Sequence, residues 1–236
     1  MPKVYLSAPY HWYNKCAVAG CDENTHNNLY LDELEVYLDA CGIEHKRGYR
    51  RPPQDGTTDG DELMMQAVRE SNEWGADIHY VSHTNAFNGT VRGCRPMIYP
   101  GSVGGRKLAE LMIAYRKKIY DQPISLSERS DLYELSETYA AAFYEEHVFH
   151  DNEDDAKWFH DNMRYIAECT ARAMCDYFAV PFVDPYAVKH QVVLGTYETK
   201  AEADKALREM HRLLGEAQVA LSQLDAVLRK AEIEQE

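Results

Sequence analysis

The chain of 236 residues contains no run approaching the roughly 20 apolar residues needed to span a bilayer, so membrane insertion is not expected. Cations are also scarce. The 25 Lys and Arg stand against 39 Asp and Glu, for a formal charge of −14. Binding a nucleic-acid backbone requires a basic face, so no nucleic acid is expected as a partner. The same deficit argues against adsorption to anionic membrane surfaces. The start, Met-Pro-Lys-Val-Tyr-Leu-Ser7, lacks the charged, apolar and small-residue segments of a secretory signal. Synthesis in the cytoplasm is therefore the expectation, and a substrate outside would have to be reached by release or export. The six cysteines at 16, 21, 41, 94, 169 and 175 include no Cys-x-x-Cys pair. With 45% hydrophobic residues the chain can bury its own core without disulfide staples. Cys16 and Cys21 bracket four residues and could pair or share a structural metal; free thiols are expected for most of the six.

What is present reads as strands alternating with helices. Val4–Ser7 is an apolar strand. Leu31, Leu34, Leu38 and Cys41 recur at helical spacing, which predicts a helix over 28–40 closed by Gly42. A short strand over 43–48 is followed by a loop rich in Pro, Gly, Asp and Thr over 50–60, and Asp61 can cap a helix to Trp74. Strands over 76–83, 93–99 and 140–149 alternate with helices over 102–119 and 154–178. The pattern predicts an α/β domain over residues 1–183, with a twisted, mostly parallel sheet flanked by helices. Residues 184–236 form a second segment. It holds a short strand over 192–197, then a helix capped by Thr199 with a seam of Ala203, Leu207, Met210, Leu214, Ala217, Leu221, Leu224, Leu228 and Ala231. Spacings alternating between four and three predict a coiled coil, and hence a homo-oligomer.

Four side chains carry the chemistry. His83 ends the central strand, His11 lies in the loop after the first strand, and Glu23 stands before the first long helix. In a parallel α/β sheet the strand C-termini share one edge, so these three converge there. Two imidazoles and one carboxylate suit zinc that keeps a position open for water. In Phe143-Tyr-Glu-Glu-His-Val-Phe149 alternation sends Glu145 and Glu146 to opposite faces, and Glu146 is the catalytic base. Asn85, two residues past His83, is assigned to substrate binding. Taken singly, each residue has an ordinary reading, such as a solvated loop histidine or a helix first-turn glutamate favoured by the dipole. Their convergence on one sheet edge favours a metal site. His79, His147 and His150 compete with these histidines, and His26 is assigned to a helix surface.

With these residues in place the chain resembles the zinc-dependent N-acetylmuramoyl-L-alanine amidases of the amidase-3 type, found in bacterial autolysins and phage endolysins. The resemblance runs from Lys3 to about Phe178. It rests on Gly75-Ala-Asp77 with Ser82-His-Thr-Asn-Ala86, on Glu146 with Phe149-His-Asp-Asn152, and on Asp22-Glu23 with Asn28. It implies Zn2+ held by His11, Glu23 and His83, with Glu146 as the catalytic glutamate. The implied substrate is peptidoglycan, cut at the amide between N-acetylmuramic acid and L-alanine. The sequence departs from the family at three places. Ser7–His11 replaces a Gly-His-Gly-Gly loop, Asp22 replaces a common asparagine, and Val148 replaces a glycine; none of these removes a metal-binding atom. Gln191–Tyr197 with Ala201-Glu-Ala is similar to the start of a sporulation-related repeat, but the tail is too short for that domain.

Two other classes compete. One is a catalytically silent amidase fold that binds wall precursors as a regulator; it would normally lack metal ligands. The other is an unrelated metal-dependent peptidase or deacetylase, distinguished by the bond it cleaves.

Overall fold

The computed structural model describes residues 1–48 and 59–187, together with Thr199, Glu202 and Lys205. The chain divides into two compact units, Met1–Tyr186 and Ala187–Glu236. Among the described residues the first unit holds six strands: β1 (Lys3–Ser7), β2 (Glu44–Arg47), β3 (Ile78–Asn85), β4 (Arg95–Ile98), β5 (Ser127–Glu128) and β6 (Ala141–Phe149). The helices are α1 (Glu23–Ala40), α2 (Gly60–Trp74), α3 (Val103–Arg116), α4 (Tyr133–Ser136) and α5 (Glu153–Phe178). One sheet runs in the order β2-β1-β3-β6-β4-β5. All neighbouring pairs are parallel except β4 with β6. The mostly parallel α/β architecture expected from the sequence is therefore the observed one.

Parallel strands buried on both faces read as continuous apolar runs rather than alternating ones. In β3 every residue from Ile78 to Thr84 is buried. On one face Val4, Leu6 and Tyr80 meet the buried sides of α1, α3 and α5, with Tyr30, Leu34, Leu108, Phe159 and Ile166 at the centre. On the other face Tyr5 donates its hydroxyl to Glu70 of α2, and His79 lies against Glu134 of α4.

The helix starts differ from the sequence reading for a capping reason. α1 begins at Glu23 rather than Asn28, because the Asp22 carboxylate accepts the Thr25 N–H at 2.8 Å. The added turn is polar yet inside. His26, Asn27 and Asn28 are buried, so His26 is not on the helix surface as expected. This turn packs on polar partners, among them Cys16 beside His26 and Ser82 beside Asn27, where a hydrophobic-periodicity rule gives no signal. α2 is capped by Asp59 rather than Asp61. At its far end Gly75 closes α2 at φ 68°, a left-handed value that glycine adopts without cost.

β5 and α4 were not anticipated; each is too short to set up a period. Before β4, Gly93 sits at φ 131°, and a Cβ there would stand 2.6 Å from the Pro123 carbonyl oxygen, so only glycine fits.

The second unit is described at four residues only, Ala187, Thr199, Glu202 and Lys205. Thr199 Oγ1 accepts the Glu202 N–H at 3.3 Å and a Glu202 carboxylate oxygen accepts the Thr199 N–H at 3.1 Å, a reciprocal cap that opens a helix. The expected strand over 192–197 and the seam from Ala203 to Ala231 lie outside the described residues.

Candidate metal centre

The site forms where β1, β3 and β6 end together. The chain leaves β1 into the loop carrying His11, and α1 opens with Glu23 in its first turn. His83 lies near the end of β3, directly beside Glu146 of β6 in the parallel register, and Arg95 of β4 lies beside Glu146 on the other side. Alternation sends Glu145 to the opposite face, where it meets Arg116 and Tyr80. A register irregularity between His83 and Asn85 then ends the regular ladder at the site.

His11, Glu23 and His83 come together as the sequence predicts: one ligand atom of each lies within 4.8 Å of the others. His11 Nδ1 is 3.1 Å from one Glu23 oxygen and His83 Nδ1 is 2.9 Å from the other. The Asn14 side-chain amide donates to Glu23 at 2.8 Å and the Thr84 N–H donates at 3.3 Å. Burial by itself would raise the Glu23 carboxyl, but the hydrogen bonds from His11 and His83 outweigh it and hold it below the usual carboxylate range. Burial would likewise lower His83; its bond to Glu23 and that group's charge raise it instead.

This donor set fits a divalent cation. Each imidazole turns Nδ1 toward a carboxylate oxygen, so without a cation both contacts need a proton. A doubly charged ion supplies the same charge at the centre of the group. Two histidines and a glutamate are a catalytic zinc set that leaves a fourth position open.

Glu146 is a different kind of carboxylate. Its Oε2 atom is buried with no hydrogen-bond partner among the described residues. Burial pushes its carboxyl up to about 7, with His83 pulling it down and Glu23 pushing it up. Such a group can hold or release a proton near neutral pH, as a general base requires.

Two cavities flank the centre and share Leu132 and Tyr144. One, of about 430 Å³, is lined by His11, His83, Tyr10, Tyr13, Tyr133 and Glu134 among others. The other, of about 370 Å³, is lined by Glu146, Asn85, Arg95, Met97, Ser127 and Arg129 as well. Asn85 thus reaches the Glu146 side, where its side chain accepts the Ala86 N–H at 2.8 Å. The competing histidines lie elsewhere. His79 is fully buried against Glu134 and stacked on Tyr5, His147 is fully buried among Ser82, Tyr80 and Arg116, and His150 bonds to Thr84.

Sequence reasoning missed Tyr144, whose ring stacks on His83 with centroids 4.7 Å apart. It also missed Asn14 and the short α4 that brings Glu134 to Ser7 and His79. Strand alternation puts Tyr144 on the face of Glu146 and was the available signal; nothing local marks the others.

No family model matches the chain, and no curated protein matches its sequence. Solved structures do match. The amidase CwlD from Clostridioides difficile, determined in complex with the GerS lipoprotein, superposes with a TM-score of 0.66 at 15% identity, covering 76% of this chain and 99% of that one. The catalytic domain of CwlV, an N-acetylmuramoyl-L-alanine amidase from Bacillus (Paenibacillus) polymyxa var. colistinus, gives 0.64 at 18% identity over 77% and 100% of the two chains. The catalytic domain of the CD27L endolysin, which targets Clostridia difficile, gives 0.62 at 19% identity over 75% and 98%. About three quarters of this chain has the fold of the catalytic domains of N-acetylmuramoyl-L-alanine amidases.

Proposed function

We propose that the protein is a zinc-dependent hydrolase of peptidoglycan that cuts the amide between N-acetylmuramic acid and the L-alanine of the stem peptide. The observation that carries this reading is the His11–Glu23–His83 group with the unpartnered Glu146 oxygen beside it. The fold shared with amidases of that class supports it. A zinc ion held by His11, Glu23 and His83 would supply Lewis acidity to the scissile carbonyl and the attacking water. Glu146 takes a proton from that water as its oxygen adds to the carbonyl carbon. It returns the proton to the nitrogen as the C–N bond breaks. The products are a carboxylate on the muramic acid side and a free amine on L-alanine. Asn85 is the proposed substrate contact, and Arg95 and Arg129 line the same cavity, where guanidinium groups suit the carboxylates of a stem peptide. A catalytically silent regulator would have no use for a carboxyl poised near 7 beside three convergent ligands.

The test is mass spectrometry of digested peptidoglycan. The expected products carry a new N-terminal L-alanine and an intact muramic acid, and a chelator abolishes their release until zinc is restored. Cleavage inside the stem peptide would make the protein a peptidase, and zinc-loaded protein that cuts nothing would favour the regulator.

In this reading the enzyme reaches the wall by release or export, as an endolysin or autolysin. Its negative charge favours specific contacts over general attraction to polyanionic walls. The tail brings copies together, and the cap at Thr199 and Glu202 supports a helix beginning there. A chain ending at residue 198 should run as a monomer in light scattering while the full chain runs as an oligomer. A monomeric full chain removes the coiled coil.

A further inference from the structure

A second group of metal-ligating side chains lies away from the first. The segment after His11 folds back on itself: Lys15 pairs with Asp22 in antiparallel fashion, and the Cys16 N–H donates to the Cys21 carbonyl at 3.2 Å. The return is made at Gly20, with φ 79°. This places Cys16 and Cys21 at the foot of α1, whose first turn carries His26, and α5 brings His160 to the same place. Cys21 Sγ and one ring nitrogen each of His26 and His160 lie within 4.8 Å of one another. The rings of His26 and His160 have centroids 5.3 Å apart.

His26 supplies the independent observation. Its side chain is fully buried. Nδ1 lies 3.4 Å from Cys16 Sγ, while Nε2 is buried with no hydrogen-bond partner among the described residues. A buried imidazole nitrogen without a partner costs free energy unless something accepts its lone pair or proton. In the tautomer whose Nδ1–H donates to the Cys16 sulfur, Nε2 carries the lone pair. This is the usual arrangement of a ligating histidine, in which one nitrogen is oriented by a neighbour and the other faces the ion. All six cysteines are free, so no disulfide removes the thiols.

We propose that Cys21, His26 and His160 bind a soft divalent cation of the zinc class, with Cys16 as the positioning residue for His26. One thiolate and two imidazoles select zinc over magnesium or calcium, which prefer oxygen. His160 is exposed, so the group is open to solvent at that ligand. Binding displaces one proton, from the Cys21 thiol to solvent, and changes no oxidation state. The ion would tie the loop that carries His11 to both α1 and α5. His11 retains 40% side-chain exposure and is the least enclosed member of the first group, so such a tie would stiffen the segment that presents it.

Cobalt(II) substitution separates the two sites, because only this one contains sulfur. The full-length protein, reduced and stripped of metal, is titrated with cobalt(II) and read by absorption, with bound zinc counted separately. The expected result is two ions per chain and a thiolate-to-cobalt charge-transfer band. Cys21→Ser and His160→Ala each lose one ion, and Cys21→Ser loses the band. His83→Ala, which disables the first group, loses one ion and keeps the band. His160 lies on the surface, so its replacement tests the site without threatening the fold. A full-length protein without the charge-transfer band, or a His160→Ala variant that still binds two ions, overturns the proposal while leaving the amidase reading standing.

Discussion

Glu146→Gln should lower turnover by about 10²- to 10⁴-fold, the range that a positioned general base contributes, while zinc content stays unchanged. Glutamine keeps the shape of the side chain but cannot take the proton of the attacking water. The effect on folding should be small, because the Oε2 atom has no hydrogen-bond partner to lose among the described residues. The pH profile carries the same information. A base works when deprotonated, so kcat/KM should climb as pH rises through the carboxyl's titration. Burial sets that titration at about 7 without a cation, and a bound dication would pull it lower, so the rising limb belongs at or below neutrality. It should vanish in Glu146→Gln. A variant that releases muropeptide products at the normal rate removes Glu146 from the chemistry, whatever its place beside His83.

Arg116→Met should destabilise the first unit by about 3–5 kcal/mol, the usual penalty for stranding one charge of a buried pair. Arg116 and Glu145 are each only 3% exposed and meet at 2.9 Å. Tyr80 donates to the second Glu145 oxygen at 2.8 Å. Arg116 also donates to His147 Nδ1 at 3.0 Å. That leaves the Nε2–H of His147 to donate to the Ser82 hydroxyl at 3.0 Å; Ser82 in turn donates to Asn27 at 2.7 Å, and Asn27 donates to the Glu23 carbonyl at 2.8 Å. Burial pushes the His147 imidazole down to about 3, which keeps it neutral and able to act in this chain. The network therefore runs from α3 through the sheet to the residue that offers the carboxylate of the metal group. Urea unfolding of Arg116→Met, compared with the Arg116→Met/Glu145→Leu double variant, isolates the cause. Removing both charges should recover much of the loss, because an apolar pair avoids the desolvation cost. A single variant within 1 kcal/mol of wild type would show that the pair is dispensable.

Much of this molecule could be read from local pattern. Apolar runs over 4–7 and 78–83, and helical spacing in 31–38, reflect burial on a sheet face and a helix stripe, which repeat at fixed intervals along the chain. Placing His11, Glu23, His83 and Glu146 on one sheet edge required only the order of elements and the rule that parallel strands end together. Two of the failures share one cause. Asp22 rather than a later residue opens α1, and His26 is buried, because the first turn of that helix packs on polar partners that hydrophobic periodicity does not register. Asp59 rather than Asp61 caps α2, because its carboxylate accepts the Asp61 N–H at 2.9 Å.

The residue types at the sheet edge, their order and the alternation that separates Glu145 from Glu146 were determined by the sequence alone, because side-chain direction in a strand follows from its period of two. Tertiary structure decided what no spacing encodes. It turned both Nδ1 atoms onto opposite oxygens of one carboxylate, laid Tyr144 on His83, left one buried Glu146 oxygen without a partner among the described residues, and brought His160 from α5 to Cys21 and His26. Those contacts join residues far apart in the chain, and their geometry is set by how helices settle on the sheet, a balance of packing and desolvation that exists only once the core has formed.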